Sequence, residues 1–106
     1  MSDAYELFQQ GRARLRAGLA AQATVPLERA KRLEPEKASI REALGIAYFR
    51  MTRWSEAEAE FRKVLELSPV DGYAHLALAR SLEKQGRAEE ARRHRKLARR
   101  LGEADA

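Results

Sequence analysis

Two histidines and a set of carboxylates are the residues of this chain that could do chemistry, since its 106 residues include no cysteine. His75 and His94 lie 19 residues apart with no H-E-x-x-H spacing and no third ligand, so they do not predict a metal site. Carboxylate pairs at helical spacing, such as Glu56 and Glu60, lack the apolar surroundings that acid catalysis requires. No glycine cluster for phosphates and no Gly-x-Ser-x-Gly turn occurs. We therefore expect a protein that is not an enzyme and that holds neither a metal nor a cofactor.

The composition favours helices with solvated outer faces, because 35% of the residues are charged and only 3 are proline and 6 glycine. No uncharged apolar stretch approaches the roughly 20 residues of a membrane span, so we expect no membrane insertion. The acidic start of the sequence lacks the basic and apolar regions of a signal peptide. We therefore expect a cytoplasmic location.

The sequence repeats with a period of 34 residues, and small or apolar residues recur at matching positions. The three copies are residues 4–37, 38–71 and 72–105, and each reads as two helical runs separated by a short break. Short connections make neighbouring helices antiparallel. We expect one domain over residues 1–106, an all-α stack of three antiparallel hairpins with six helices. The recurring columns are Gly11/Gly45/Ala79, Ala23/Ala57/Ala91, Ala30/Val64/Ala98, Leu33/Leu67/Leu101 and Pro35/Pro69.

Capping residues predict where several helices begin and end. The first helix should begin near Ser2 or Asp3, because Asp3 and Glu6 have capping-box spacing. It should end at Gly18, which can adopt the left-handed conformation that follows a helix. Gly86 predicts the same end for the fifth helix.

Three further positions complete this prediction. Asp71 should cap the start of the fifth helix, and Ser55 with Glu58 forms a capping box for the fourth. Pro26 is difficult to place inside the second helix, because it lacks an N–H and its ring clashes with the preceding turn. We expect either a late start with Thr24 as the N-cap or a kink.

The middle copy resembles the tetratricopeptide repeat, whose pattern is L-G-x2-Y…A-x3-F…P. Leu44-Gly45, Tyr48, Ala57, Phe61 and Pro69 fill every one of these positions, whereas the outer copies keep mainly the small-residue columns. The resemblance implies a right-handed superhelical stack that acts as a protein–protein interaction module.

Several residues should serve packing alone. We expect Gly45 and Ala57 to face each other where two helices approach closely, with Phe61 filling the wedge between hairpins. Trp54 should close the turn of the middle hairpin over Ala57 and belong to the core. Arg95 occupies the column of Leu27 and Phe61, which indicates that no fourth hairpin packs on it.

In the family that this chain resembles, the first helix of each repeat lines a concave groove. Large apolar side chains beside arginines on such a wall indicate a site for a partly acidic, hydrophobic segment, extended or helical, of another protein. The alternative is self-association through the same surfaces, which would make the chain a homo-oligomeric scaffold. The predicted groove residues are Tyr5, Phe8, Arg12, Arg16, Ile46, Phe49, Arg50, Tyr73, Leu76, Arg80 and Lys84.

One subset of the family grips the carboxylates of chaperone tails with lysine, asparagine and arginine. The positions that would carry this clamp here are occupied by residues of which only Arg12 is charged, so the resemblance does not favour chaperone tails as ligands. Those positions are Phe8, Arg12, Ala43, Tyr73 and Ala77.

The last helix is the basic end of a chain whose formal net charge is +5. Its cations could neutralise phosphates, but no aromatic residue follows Tyr73 to stack on bases. A solvated terminal helix is the better interpretation, and nucleic acid is the less favoured partner. The cations are Arg92, Arg93, Lys96, Arg99 and Arg100.

Overall fold

The computed structural model describes residues 3–106 and forms three helical hairpins in a row. The helices are α1 (Ala4–Arg16), α2 (Ala20–Leu33), α3 (Ala38–Arg50), α4 (Trp54–Leu67), α5 (Gly72–Lys84) and α6 (Ala88–Arg100). The first helices of the hairpins, α1, α3 and α5, begin 34 residues apart, in agreement with the sequence period. Each of these helices pairs with the helix that follows it. Because α2 also contacts α3 and α4 contacts α5, the hairpins stack into a body of 44 × 24 × 21 Å.

The described residues contain no strand, so the all-helical prediction is confirmed. None of these helices combines the length and the apolar character that a bilayer crossing requires. The division of residues 1–106 into one domain of three repeats stays a prediction, and helix starts at Ala4, Ala38 and Gly72 agree with it.

Side-chain caps and glycines set several helix ends where the sequence predicts them. Asp3 accepts a hydrogen bond from the backbone N–H of Glu6 at 2.8 Å, and Asp71 accepts one from Ala74 at 3.0 Å. Gly18 and Gly86 have φ angles of +78° and +77° and end α1 and α5. Ser2, the other candidate for the first cap, lies outside the described residues.

The predicted late start of the second helix is wrong, because α2 begins at Ala20 and contains both Thr24 and Pro26. Thr24 is not an N-cap, and its hydroxyl donates to the carbonyl of Ala21 at 2.7 Å. Pro26 cannot donate to the carbonyl of Gln22, four residues earlier. The guanidinium of Arg14 donates to that carbonyl instead, at 3.2 Å, which explains how α1 helps α2 accommodate the proline.

The predicted Ser55–Glu58 capping box is also wrong. The fourth helix begins at Trp54 with Arg53 as its N-cap, two residues before the predicted cap Ser55, and no side chain caps it. Thr52 turns the chain between α3 and α4 with a φ of +59°. The Glu58 carboxylate is occupied elsewhere, since it accepts from Gln85 at 3.0 Å and from Arg87 at 2.9 Å.

The close helix approaches involve glycine and a large side chain of the same hairpin. A Cβ on Gly45 would lie 2.7 Å from the ring of Phe61, and one on Gly11 would lie 2.4 Å from Leu27. The nearest neighbour of Gly45 is therefore Phe61 and not Ala57, which corrects the predicted pairing. Phe61 is 1% exposed and fills the predicted place between the hairpins.

In the third hairpin, Ala79 occupies the repeat position of Gly11 and Gly45, and Arg95 occupies that of Leu27 and Phe61. The guanidinium of Arg95 donates two hydrogen bonds to Glu83, at 2.7 and 2.8 Å, and no further hairpin covers it within the described chain. Trp54 is half-buried and is less enclosed than predicted, with its ring 4.9 Å from that of Phe49.

Candidate functional site

The first helices of the three hairpins create a continuous groove from α1 to α5. It consists of three adjoining clefts. The first and second clefts share Phe8 and Ser39, and the second and third clefts share Ile46. The first is lined by Ala4, Tyr5, Phe8, Glu34, Lys37, Ser39 and Ile40, the second by Phe8, Arg12, Leu15, Ser39, Glu42, Ala43 and Ile46, and the third by Ile46, Phe49, Arg50, Phe61, Tyr73, Ala77 and Arg80.

The third cleft is lined by apolar side chains and by two cations, Arg50 and Arg80. Phe61 forms its floor, and Tyr73 exposes 37% of its surface beside it. The Arg50 guanidinium donates to the carbonyl of Leu15 at 2.8 Å, which holds it across the end of α1. Arg80 on α5 is exposed. An apolar side chain with an acidic neighbour fits such a cleft.

The cations of the groove are free of carboxylates, unlike most cations between the helices. Among residues 3–106, none of them forms an ion pair within 4.0 Å. Arg12 lies over the ring of Phe8 at 5.5 Å, and Lys84 lies over Trp54 at the same distance. Their charges are therefore available to an acidic ligand. The cations that line the clefts are Arg12, Lys37, Arg50 and Arg80, and the two other predicted groove cations without an ion pair in this part of the chain are Arg16 and Lys84.

Glu42 is the acidic exception in the second cleft. It is half-buried, and in the described part of the chain it has neither an ion pair nor a side-chain hydrogen bond. Burial, and then the charge of Asp71, raise the pKa of the Glu42 carboxyl. Burial, and then the charge of Glu42, raise the pKa of Tyr73. The groove therefore has a basic part and a half-buried isolated carboxylate in its second cleft, while the carboxylate of Glu34 in the first cleft is exposed.

Eight of the predicted groove residues line these clefts. Two further predicted residues do not line them. Arg16 is exposed at the end of α1, and Lys84, the last residue of α5, reaches over the ring of Trp54 at the start of α4. The eight are Tyr5, Phe8, Arg12, Ile46, Phe49, Arg50, Tyr73 and Arg80.

Leu76 contradicts its predicted place in the groove wall, because it is only 2% exposed. Gly72, one turn earlier on the same side of α5, lies against Leu101 and Glu103. The chain after α6 thus covers this side of the helix, which the repeat pattern alone does not show.

The two histidines meet outside the groove, a contact that the sequence analysis missed. His75 is buried, and its Nδ1 lies 3.0 Å from Nδ1 of His94. Its Nε2 lies 3.0 Å from the carbonyl of Pro69, which can only accept, so Nε2 carries a hydrogen. In the neutral pair, His94 then donates to His75. The ring centroids are 5.3 Å apart, so the rings meet edge to edge.

The repeat columns contain the signal for this pair. One period earlier, the same two positions hold Arg41 and Glu60, which form an ion pair at 3.2 Å. The histidines are thus a packing contact between the helices of a hairpin. Residues 3–106 contain no group of three or more side chains that could hold a metal.

The basic face of α6 is exposed and carries little compensating charge. Arg92 has a distant partner, Glu89 at 4.0 Å, and Arg99 donates to the backbone of Ala106. No aromatic side chain accompanies these cations in the sequence. The face lacks the stacking groups of a single-strand binding surface.

The sequence pattern of the tetratricopeptide repeat family matches residues 42–106, more than half of the chain. The protein therefore belongs to the tetratricopeptide repeat family, as its residues indicate. No curated protein sequence matches it. A solved MamA variant is 31% identical over 95% of this chain and 74% of its own, with a TM-score of 0.89. A second MamA structure is 30% identical, with a TM-score of 0.90, over 96% of this chain and 60% of its own.

Two more distant structures share the fold. The second repeat domain of Spaghetti (RPAP3), bound to the HSP90 peptide SRMEEVD, is 17% identical over 94% of this chain and 93% of its own, with a TM-score of 0.90. YrrB, a repeat protein with an unusual peptide-binding site, is 18% identical with a TM-score of 0.92. The match with YrrB covers 98% of this chain but only 54% of YrrB. The match with the second MamA structure likewise covers 60% of that structure.

Proposed function

We propose that this protein is a non-catalytic interaction module that binds a partly acidic, hydrophobic segment of another protein in the groove. The observation that carries the proposal is the third cleft, which combines apolar side chains with the cations Arg50 and Arg80. A ligand carboxylate beside Arg80 would gain an ion pair without displacing one in the protein. An apolar ligand side chain would cover Ile46, Phe49 and Tyr73.

The family relationship supports this proposal. The tetratricopeptide fold is a protein-interaction fold, and one structure with the same fold holds the acidic peptide SRMEEVD. The chaperone-tail clamp is not reproduced here, because its positions hold only one cation, Arg12. The proposed ligand is accordingly an internal acidic and apolar segment.

Selection of a random peptide library displayed on phage tests the proposal. Wild-type protein should enrich peptides with adjacent apolar and acidic residues. Arg80→Glu, checked for helix content by circular dichroism, should bind a selected peptide at least about tenfold more weakly, since it replaces attraction by repulsion. Arg93→Glu on α6 is the matched control and should bind normally. No enrichment, or equal binding by Arg80→Glu, would contradict the groove assignment.

Self-association is the second candidate, and the first hairpin favours it. Val25 and Leu33 on α2 are 61% and 58% exposed, and no hairpin precedes α1 in the described chain. Apolar side chains at the end of a helical stack can pair with a second copy.

A further inference from the structure

The contrast between Glu42 and four carboxylates enclosed between the helices indicates a second specificity element in the groove. Glu28, Glu58, Glu60 and Glu90 are buried or half-buried, and each has an ion pair at 3.2 Å or less. Asp71 and Glu103 are half-buried without an ion pair among residues 3–106, but Asp71 caps α5 and Glu103 lies after the end of α6. Glu42 is enclosed to a similar degree, with no cation within 4.0 Å in the described chain. Unlike the paired carboxylates, Glu42 lines the groove, in its second cleft.

The surroundings of Glu42 make an added cation favourable. Arg12 lines the same cleft, but its guanidinium lies over the ring of Phe8. Asp71 is near enough for its negative charge to act on Glu42, and it is fixed as the cap of α5. A half-buried carboxylate is poorly hydrated, and a like charge nearby destabilises it further. An ammonium or guanidinium group placed there would relieve both effects.

We propose that Glu42 binds a lysine or arginine side chain of the ligand segment, so that the ligand is recognised through both signs of charge. This rests on the proposed function, because it assigns a further contact within the same groove. The ligand's basic residue then binds Glu42 in the second cleft. Its apolar residue lies in the third cleft, and its acidic residue pairs with Arg50 and Arg80.

The spacing of these sites follows from helix geometry. Glu42 and Arg50 are eight residues apart on α3, which is about 12 Å along the helix axis. An extended ligand rises about 3.3 Å per residue, so its cation and its acid are about four residues apart. The recognised pattern is a basic residue and an acidic residue with an apolar residue between them. A purely acidic segment would leave Glu42 unpaired.

Parallel phage selections on wild type, Glu42→Gln and Glu89→Gln test this assignment. Wild type and Glu89→Gln, the control on the exposed side of α6, should enrich lysine or arginine three to five positions from an acid. Glu42→Gln should still enrich apolar and acidic residues but lose the basic one. Gln keeps the shape of Glu and removes the repulsion from Asp71, so the variant should fold.

A synthetic peptide from the wild-type selection then measures the contact. Replacing its lysine with norleucine should weaken binding to wild type about tenfold and leave binding to Glu42→Gln unchanged. Equal losses in both proteins, or no basic residue in the wild-type selection, would overturn the assignment to Glu42 while leaving the groove proposal intact. If the wild type enriches no peptide, both proposals fail.

Discussion

Individual charged side chains between the helices form ion pairs with one another. These paired charges stabilise the fold, whereas the unpaired charges of the groove can contact a ligand. Lys31 and Arg41 both contact Glu60, and Arg62 contacts Glu58 and Glu90. All of these contacts except Arg62–Glu58, which lies within α4, join different helices. The groove cations lack such partners, so their removal should affect binding more than folding.

At the same scale, His94 should make stability depend on pH. Burial, and then His75, lower its pKa in the folded protein; Arg62 on α4 and Arg93 also lower it, and Glu90 opposes them. The unfolded chain then binds more protons just below pH 6.5, so the free energy of unfolding should fall as pH drops through that region.

Urea unfolding from pH 7.5 to 5.5 measures this dependence. His94→Gln removes the titrating ring and should show a smaller loss of stability than wild type over the range. An identical pH dependence in the two proteins would show that His94 has the same pKa in the folded and unfolded states, which would contradict the lowered pKa.

At the scale of helices, α2 depends on α1 to accommodate its proline. The carbonyl of Gln22 lacks its usual donor because Pro26 has no N–H, and Arg14 supplies one from α1. Arg14→Met should therefore destabilise the protein by about 0.5–1.5 kcal/mol, as expected for a lost hydrogen bond.

A double-mutant cycle isolates this contact. In the Pro26→Ala background, the backbone N–H of residue 26 can donate to Gln22, so Arg14→Met should cost less there than in wild type. Chemical denaturation of the four proteins provides the comparison. Equal costs in both backgrounds would mean that Arg14 acts through its packing.

The sequence predicts the helices better than their detailed contacts. The repeat period predicts where α1, α3 and α5 lie along the chain. Asp3, Asp71, Gly18 and Gly86 predict the ends of α1 and α5, because each acts on the backbone next to it in the sequence. The predicted Ser55 cap is wrong because the turn at Thr52 makes Arg53 the N-cap, two residues earlier, and the local sequence does not decide between the two positions.

Contacts between distant segments account for the remaining differences. Leu76 reads as a groove residue by its position in the repeat, but the chain after α6 packs on that side of α5. The pairing of His75 with His94 depends on two helices meeting, and only comparison with Arg41 and Glu60 in the previous repeat would have predicted it. The repeat predicts which helix face the proposed groove residues occupy, and their role in binding stays a prediction.

At the scale of the whole molecule, the stack leaves two ends and a groove for contacts. The groove proposal predicts that the unliganded protein is a monomer in solution, because it requires no second copy. Light scattering over a concentration series measures this directly. A molar mass that rises to that of a dimer would favour the exposed apolar residues of α2 as a self-association surface.

The central claim is that the groove across α1, α3 and α5 is the binding surface. The most direct test is a titration of ¹⁵N-labelled protein with a peptide from the phage selection, followed by amide chemical shifts. We predict that the largest shifts cluster at Phe8, Glu42, Ile46, Phe49 and Arg80. Shifts confined to α2 or to the basic face of α6 would contradict the claim and would place the binding surface elsewhere.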